Sequence, residues 1–60
     1  MMGRKYIKYQ IVKTGEIKTL YEDDDSDLYK RAYNLYGKEE LPFLNRFGEL
    51  IVLEFGEDNV

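Results

Sequence analysis

The sequence predicts an α+β fold of order β-β-α-β, with a three-stranded antiparallel sheet packed on one helix. Two alternating apolar runs on either side of Thr14-Gly15, a helical apolar stripe after Ser26 and an apolar run at Leu50–Phe55 predict it. Each element has one apolar face, and stacking the helix on the sheet buries both.

From Lys5 to Lys13, Ile7, Tyr9 and Ile11 face one way and Lys8, Gln10 and Val12 the other, as in a half-buried strand. After Thr14-Gly15, Ile17 to Tyr21 alternates again, and the pair reads as a β-hairpin. Lys8, Gln10, Lys18 and Leu20 are assigned to the sheet's wet face. Ser26 or Asp25 caps a helix running from about Asp27 to Tyr36, because a short side-chain oxygen accepts from unpaired N–H groups. Leu28, Ala32, Leu35 and Tyr36 form its apolar stripe. Gly37 stops it in the left-handed region, and Lys38-Glu39-Glu40 adds a turn before Pro42. Phe43–Gly48 reads either as a loop pinned by Phe43 and Phe47 or as one arm of a second hairpin turning at Arg46–Glu49. Leu50–Phe55 is a strand with Ile51, Leu53 and Phe55 inward, and Gly56-Glu57-Asp58-Asn59-Val60 is expected to fray as an acidic tail.

Sixty residues make one small domain, 1–60. Such a chain buries only about 60 % of the surface its unfolded form exposes, so its core is marginal. Without cysteine, disulfides and thiolate zinc sites are excluded, and without histidine the commonest metal ligand and general base are missing. Self-association is the remaining route to stability, and six Tyr and three Phe fit a homodimer interface. The charged N-terminus lacks the apolar region of a signal peptide, and Leu50-Ile51-Val52-Leu53 is far too short to span a bilayer. A cytoplasmic protein is expected.

Charge is divided unevenly. Residues 1–20 carry five Lys/Arg against one Glu, a surplus of +4, and residues 21–60 carry four against eleven Asp/Glu, a deficit of −7. A basic hairpin neutralised by the acidic remainder accounts for this. So does a negative surface that attracts a basic partner. Glu22-Asp23-Asp24-Asp25-Ser26-Asp27 places five carboxylates in six residues ahead of the helix. The helix N-terminus stabilises anions by about 0.3–1 kcal/mol each, but needs only one or two.

Catalysis is not expected. With no His or Cys and a single Ser, a triad has no base, and a carboxylate pair for glycoside hydrolysis needs a cleft that sixty residues hardly build. Asp23, Asp25 and Asp27 match the first positions of a calcium loop, but Leu28 and Asn34 stand where Gly and Glu belong, so no metal or other cofactor is expected. Arg4-Lys5-Tyr6-Ile7-Lys8-Tyr9 interleaves bases with aromatics as single-strand binders do, yet the acidic half repels phosphate and Tyr9 belongs to the core face. Tyr29, Tyr33 and Tyr36 form a second stripe beside Leu28, Ala32 and Leu35. The two stripes exceed what a three-stranded sheet can bury, which reserves part of the helix for a second copy or a partner.

Tyr21-Glu22, twelve intervening residues and Leu35-Tyr36-Gly37 form a spacing similar to that of the very small uracil-DNA glycosylase inhibitors of short-genome tailed phages. Ser26-Asp27 followed by an apolar residue resembles their helix start in a shifted register. The resemblance covers residues 16–37. It implies a β-β-α-β protein in the host cytoplasm that dimerises through its helices and fills the glycosylase's DNA-binding cleft. Acidic side chains there replace phosphates, and an apolar pocket captures the leucine the enzyme inserts into DNA. Glu22 aligns with a family acidic contact. The family's key aromatic position falls on Ala32 without gaps, or on Leu28 if the Ser-Asp pairs are aligned, so Tyr29 or Tyr33 must supply that anchor. The expected partner-binding residues are therefore Glu22, Asp23, Asp24, Asp25, Leu28, Tyr29, Ala32, Tyr33 and Tyr36. An acidic module binding another basic host protein, such as a nuclease, polymerase or defence factor, is the alternative.

Overall fold

The structure, a computed structural model, describes residues 3–58. It contains β1 (Arg4–Ile11), β2 (Ile17–Tyr21), α1 (Ser26–Tyr36), β3 (Phe43–Leu44) and β4 (Leu50–Asp58). The strands form one antiparallel sheet of order β2-β1-β4-β3. The sheet thus has four strands where the sequence predicts three. The additional one is the short arm of a β3–β4 hairpin, the second of the two readings of Phe43–Gly48. Among the described residues no helix is long and apolar enough to cross a membrane.

The β1–β2 hairpin closes through Ile11 N–H on the Glu16 carbonyl at 2.8 Å and Gly15 N–H on the Ile11 carbonyl at 2.7 Å. Gly15 has φ 77°, a region that glycine enters without steric cost. Ile7 pairs with Leu20, and Leu20 packs against the core. Leu20 therefore lies on the helix side, and its alternation mate Lys18 with it. The outer face takes Ile17, Thr19 and Tyr21 instead, opposite Gln10, Lys8 and Tyr6.

Strand β4 contains a bulge. Lys8 pairs with Glu54 but Tyr9 with Val52, leaving Leu53 unmatched. An extra residue reverses side-chain parity along a strand. Val52 (3 % exposed) and Phe55 accordingly both reach the core, although three positions separate them. The expected inward set of Ile51, Leu53 and Phe55 holds for Phe55, which packs on the core; Ile51 pairs with Gln10 of the outer face and Leu53 is the unmatched bulge residue.

Gly56, Glu57 and Asp58 do not fray. They continue β4 opposite Tyr6, Lys5 and Arg4, where opposite charges across strands favour pairing. At Gly56 a Cβ would come within 2.6 Å of the Tyr6 ring, so only glycine lets that ring lie across the strand. Asn59 and Val60 of the expected tail, like Met1 and Met2, lie outside the described residues.

Helix α1 starts at an Asp25 cap and ends at Gly37, which is right-handed (φ −65°, ψ −21°) where a left-handed stop was expected; its N–H still reaches the Tyr33 carbonyl. Glu39 N–H on the Tyr36 carbonyl makes the further turn. The helix presents Tyr29, Ala32 and Tyr36 to a core centred on Ile7, Tyr29 and Val52, with Leu20, Leu41 and Phe55 around it. Leu28 and Leu35 of the expected stripe are 46 % and 61 % exposed. The large tyrosines fill the space over the sheet, and the leucines fall to the flanks.

Candidate functional site

The chain reverses direction immediately after Tyr21, which brings the acidic run back beside the start of β1. Arg4 lies there. Its Nε donates to Asp23 Oδ2 at 3.0 Å and its Nη2 to Asp23 Oδ1 at 3.0 Å, a two-pronged contact. Asp24 Oδ2 lies 3.5 Å from the same guanidinium, which also stacks 3.9 Å above the Tyr21 ring. The Arg4 hydrogen bond holds the Asp23 carboxyl below its usual range. Asp25 Oδ1 accepts the Leu28 N–H at 3.1 Å and caps α1. Glu22 and Asp27 make no side-chain hydrogen bond or ion pair among the described residues.

This divides the acidic run. Asp23 and Asp25 serve the fold, Asp24 is loosely held at 68 % side-chain exposure, and Glu22 and Asp27 remain available to a partner. Two of the three positions that match a calcium loop are used elsewhere, Asp23 on Arg4 and Asp25 on the helix. Among the described residues no group of three or more His, Cys, Asp or Glu side chains could hold a metal ion.

On the outer sheet face Tyr6 and Tyr21 meet edge to face with ring centres 5.9 Å apart. The Tyr6 hydroxyl donates to Glu54 at 2.9 Å and the Tyr21 hydroxyl to Asp58 at 2.7 Å. These hydrogen bonds push both phenol pKa values up. Arg4, Tyr6 and Lys8 do share this uncovered face, as a single-strand platform requires. The carboxylates of Glu54 and Asp58 stand on the same face and oppose a phosphate backbone.

The helix side offers a different surface. Between α1 and the hairpin lies an apolar groove of about 270 Å³, lined by Ile7, Tyr9, Ile11, Leu20, Leu28, Ala32 and Leu50. Ile11 and Leu50 continue into a second depression with Val12 and Gly48. The groove exists because Tyr29 anchors the helix over Ile7 and Val52, leaving the hairpin end of the sheet without a covering side chain. Leu28, in the first turn of α1, joins the two features: its backbone receives the Asp25 cap and its side chain walls the groove.

The expected site residues separate accordingly. Leu28 and Ala32 line the groove, and Glu22, Asp23, Asp24 and Asp25 lead into its helix. Tyr29 is core, 6 % exposed, and burial raises its phenol pKa. Tyr36 lies against Phe43 at 5.6 Å. Tyr33, 52 % exposed, stacks on Tyr29 at 6.1 Å and meets Phe55 at 5.4 Å. Of the three tyrosines it alone presents half its surface to a partner. The β-strand walls of the groove were not among the expected residues. Only the alternation of Ile7, Tyr9 and Ile11 signalled them, and it says nothing of how much the helix covers.

No protein-family model, curated protein or solved structure matches the chain.

Proposed function

We propose that the chain is a non-catalytic inhibitor that occupies the DNA-binding cleft of a uracil-DNA glycosylase. The observation that carries this is the apolar groove with Leu28 in its wall, the residue whose N–H is capped by Asp25 of the acidic run. A glycosylase cleft is basic because it neutralises phosphates, and it works on an extruded nucleotide. Glu22, Asp24 and Asp27 take the phosphate positions, and the groove takes an apolar side chain projecting from the cleft. Its volume lies just under the ~300–1,000 Å³ of small-molecule sites, which suits one or two side chains. The charges speed encounter and the apolar contact slows release.

The test is uracil excision from single-stranded substrate with the protein titrated in, followed by size-exclusion chromatography of the mixture. Stoichiometric inhibition and a co-eluting complex are expected. Leu28→Glu should abolish both, and Asp24→Asn with Asp27→Asn should weaken binding and flatten its salt dependence. Full excision at a large excess of protein discards the glycosylase and leaves the alternative, an acidic module for another basic protein.

A further inference from the structure

We propose that the free edge of β2 is a self-pairing surface, joining two copies of this chain strand to strand about a twofold axis at Thr19. The proposal does not rest on the target named above.

The backbone groups of β2 point alternately toward β1 and away from it. Glu22 N–H donates to the Lys5 carbonyl at 2.9 Å and Ile11 N–H to the Glu16 carbonyl at 2.8 Å. Both belong to hydrogen-bonded pairs of the β1–β2 ladder, and antiparallel ladders alternate such pairs with unbonded ones. Lys18 and Leu20 therefore turn their N–H and C=O groups toward β1. Ile17, Thr19 and Tyr21 turn theirs outward, and β2 is the outermost strand of the sheet. Among the described residues, only the Tyr21 carbonyl of these outward groups is engaged, by Asp24 and Asp25 N–H at 3.2 and 3.3 Å.

The strand Ile17-Lys18-Thr19-Leu20-Tyr21 holds no proline and no bulge, two of the devices that protect sheet edges, and its one charge, Lys18, lies on the helix side of the sheet. It is also complementary to itself. Antiparallel pairing centred on Thr19 sets Thr19 against Thr19 of the second copy and Ile17 against its Tyr21. All of these are positions with outward backbone groups. Thr19 N–H and C=O are exchanged at the axis, and each Tyr21 N–H meets the opposite Ile17 carbonyl, four hydrogen bonds in all. Ile17, 60 % exposed in one copy, gains an aromatic neighbour, a favourable cross-strand pair. Lys18 falls opposite Leu20, so the lysines do not face each other.

The resemblance implies pairing through helices; the backbone pattern assigns it to β2. Two four-stranded sheets then become one, and both apolar grooves, each walled by Leu20, open on the same face.

Light scattering coupled to size exclusion should give twice the 7.2 kDa protomer mass, falling on dilution. Amide exchange should show Thr19 protected in proportion to dimer. Thr19→Pro removes the axial donors without touching the β1 ladder. It should raise the dimer dissociation constant roughly thirtyfold or more, the loss of two backbone hydrogen bonds. Should proline disturb the fold, Thr19→Glu serves independently: the new carboxylate sits opposite Lys8 within its own chain but against its twin at the axis, and should also yield monomer. A wild-type monomer up to the solubility limit overturns the proposal. So does an unchanged dimer in either variant with native circular dichroism.

Discussion

Asn45 organises the β3–β4 hairpin through one carbonyl oxygen. Its Oδ1 accepts Glu49 N–H at 2.8 Å and Leu50 N–H at 3.1 Å, while its own N–H reaches the Leu50 carbonyl at 2.9 Å. Only 7 % of the residue is exposed, and it is the one buried polar residue among those described. Buried polar atoms are expensive unless paired, and here the pairing sets the turn. Asn45→Ala leaves two backbone donors without their acceptor, at about 0.5–1.5 kcal/mol each. The urea midpoint should fall by the equivalent of ~1–3 kcal/mol with an unchanged slope. A midpoint within error of wild type would show that the turn closes without that oxygen. Arg4 has a comparable multiplicity at the surface, holding Asp23, approaching Asp24 and stacking on Tyr21. Nothing in its sequence neighbourhood announces this, because Asp23 is nineteen residues away.

Elements differ in how far local order defines them. The β1–β2 hairpin and α1 were legible, since alternation with Thr14-Gly15 between the runs and an Asp25 cap ahead of a helical stripe are short-range signals. Strand β3 has two residues, too few for any period. Strand β4 was legible as a strand but not in its orientation. Its Leu50–Leu53 run is apolar on both parities, so the bulge at Leu53 leaves no mark in the sequence. The acidic run was legible as a helix start, whereas the groove draws walls from β1, β2, β4 and α1 and appears only when they assemble. Helix α1 illustrates the ambiguity best. Leu28, Tyr29, Ala32, Tyr33, Leu35 and Tyr36 span an arc of about 160° at 3.6 residues per turn, and either edge of that arc could face the sheet. The structure chooses Tyr29 and exposes Leu35. Tyr29→Ala should therefore cost about 3–5 kcal/mol, as for a buried aromatic, enough to unfold a marginal domain of this size. Leu35→Ala should stay within about 0.5 kcal/mol. Thermal melts of the two variants decide the matter, and a larger loss for Leu35 would mean that the helix is rotated.

Across the molecule, the opposed charges of the two halves meet at strand pairings. Arg4 faces Asp58, Lys5 faces Glu57 and Lys8 faces Glu54 across β1–β4, and Arg4 also grips Asp23. The same end of the sheet carries Tyr6 on Glu54 and Tyr21 on Asp58, so this network must respond to pH from both sides. Asp23 has a folded pKa below its unfolded value. Its contribution is fully present above the unfolded pKa, ~3.9, and is lost as pH falls through the folded one. Tyr6 and Tyr21 have folded values above the unfolded ~10. Their contribution is fully present below that pH and is lost as pH rises through the folded values, when each phenolate would face a carboxylate. Relief of repulsion within the acidic half also acts at low pH, so the Asp23 contribution is read by difference. Urea midpoints followed against pH should show the acid-side loss shrinking in Arg4→Gln relative to wild type. The alkaline loss should shrink in the Tyr6→Phe/Tyr21→Phe double variant, which cannot ionise. Parallel acid limbs for wild type and Arg4→Gln would mean that the Arg4 grip on Asp23 does not persist in solution. Asp23 would then join Glu22, Asp24 and Asp27 as a carboxylate available to a basic partner.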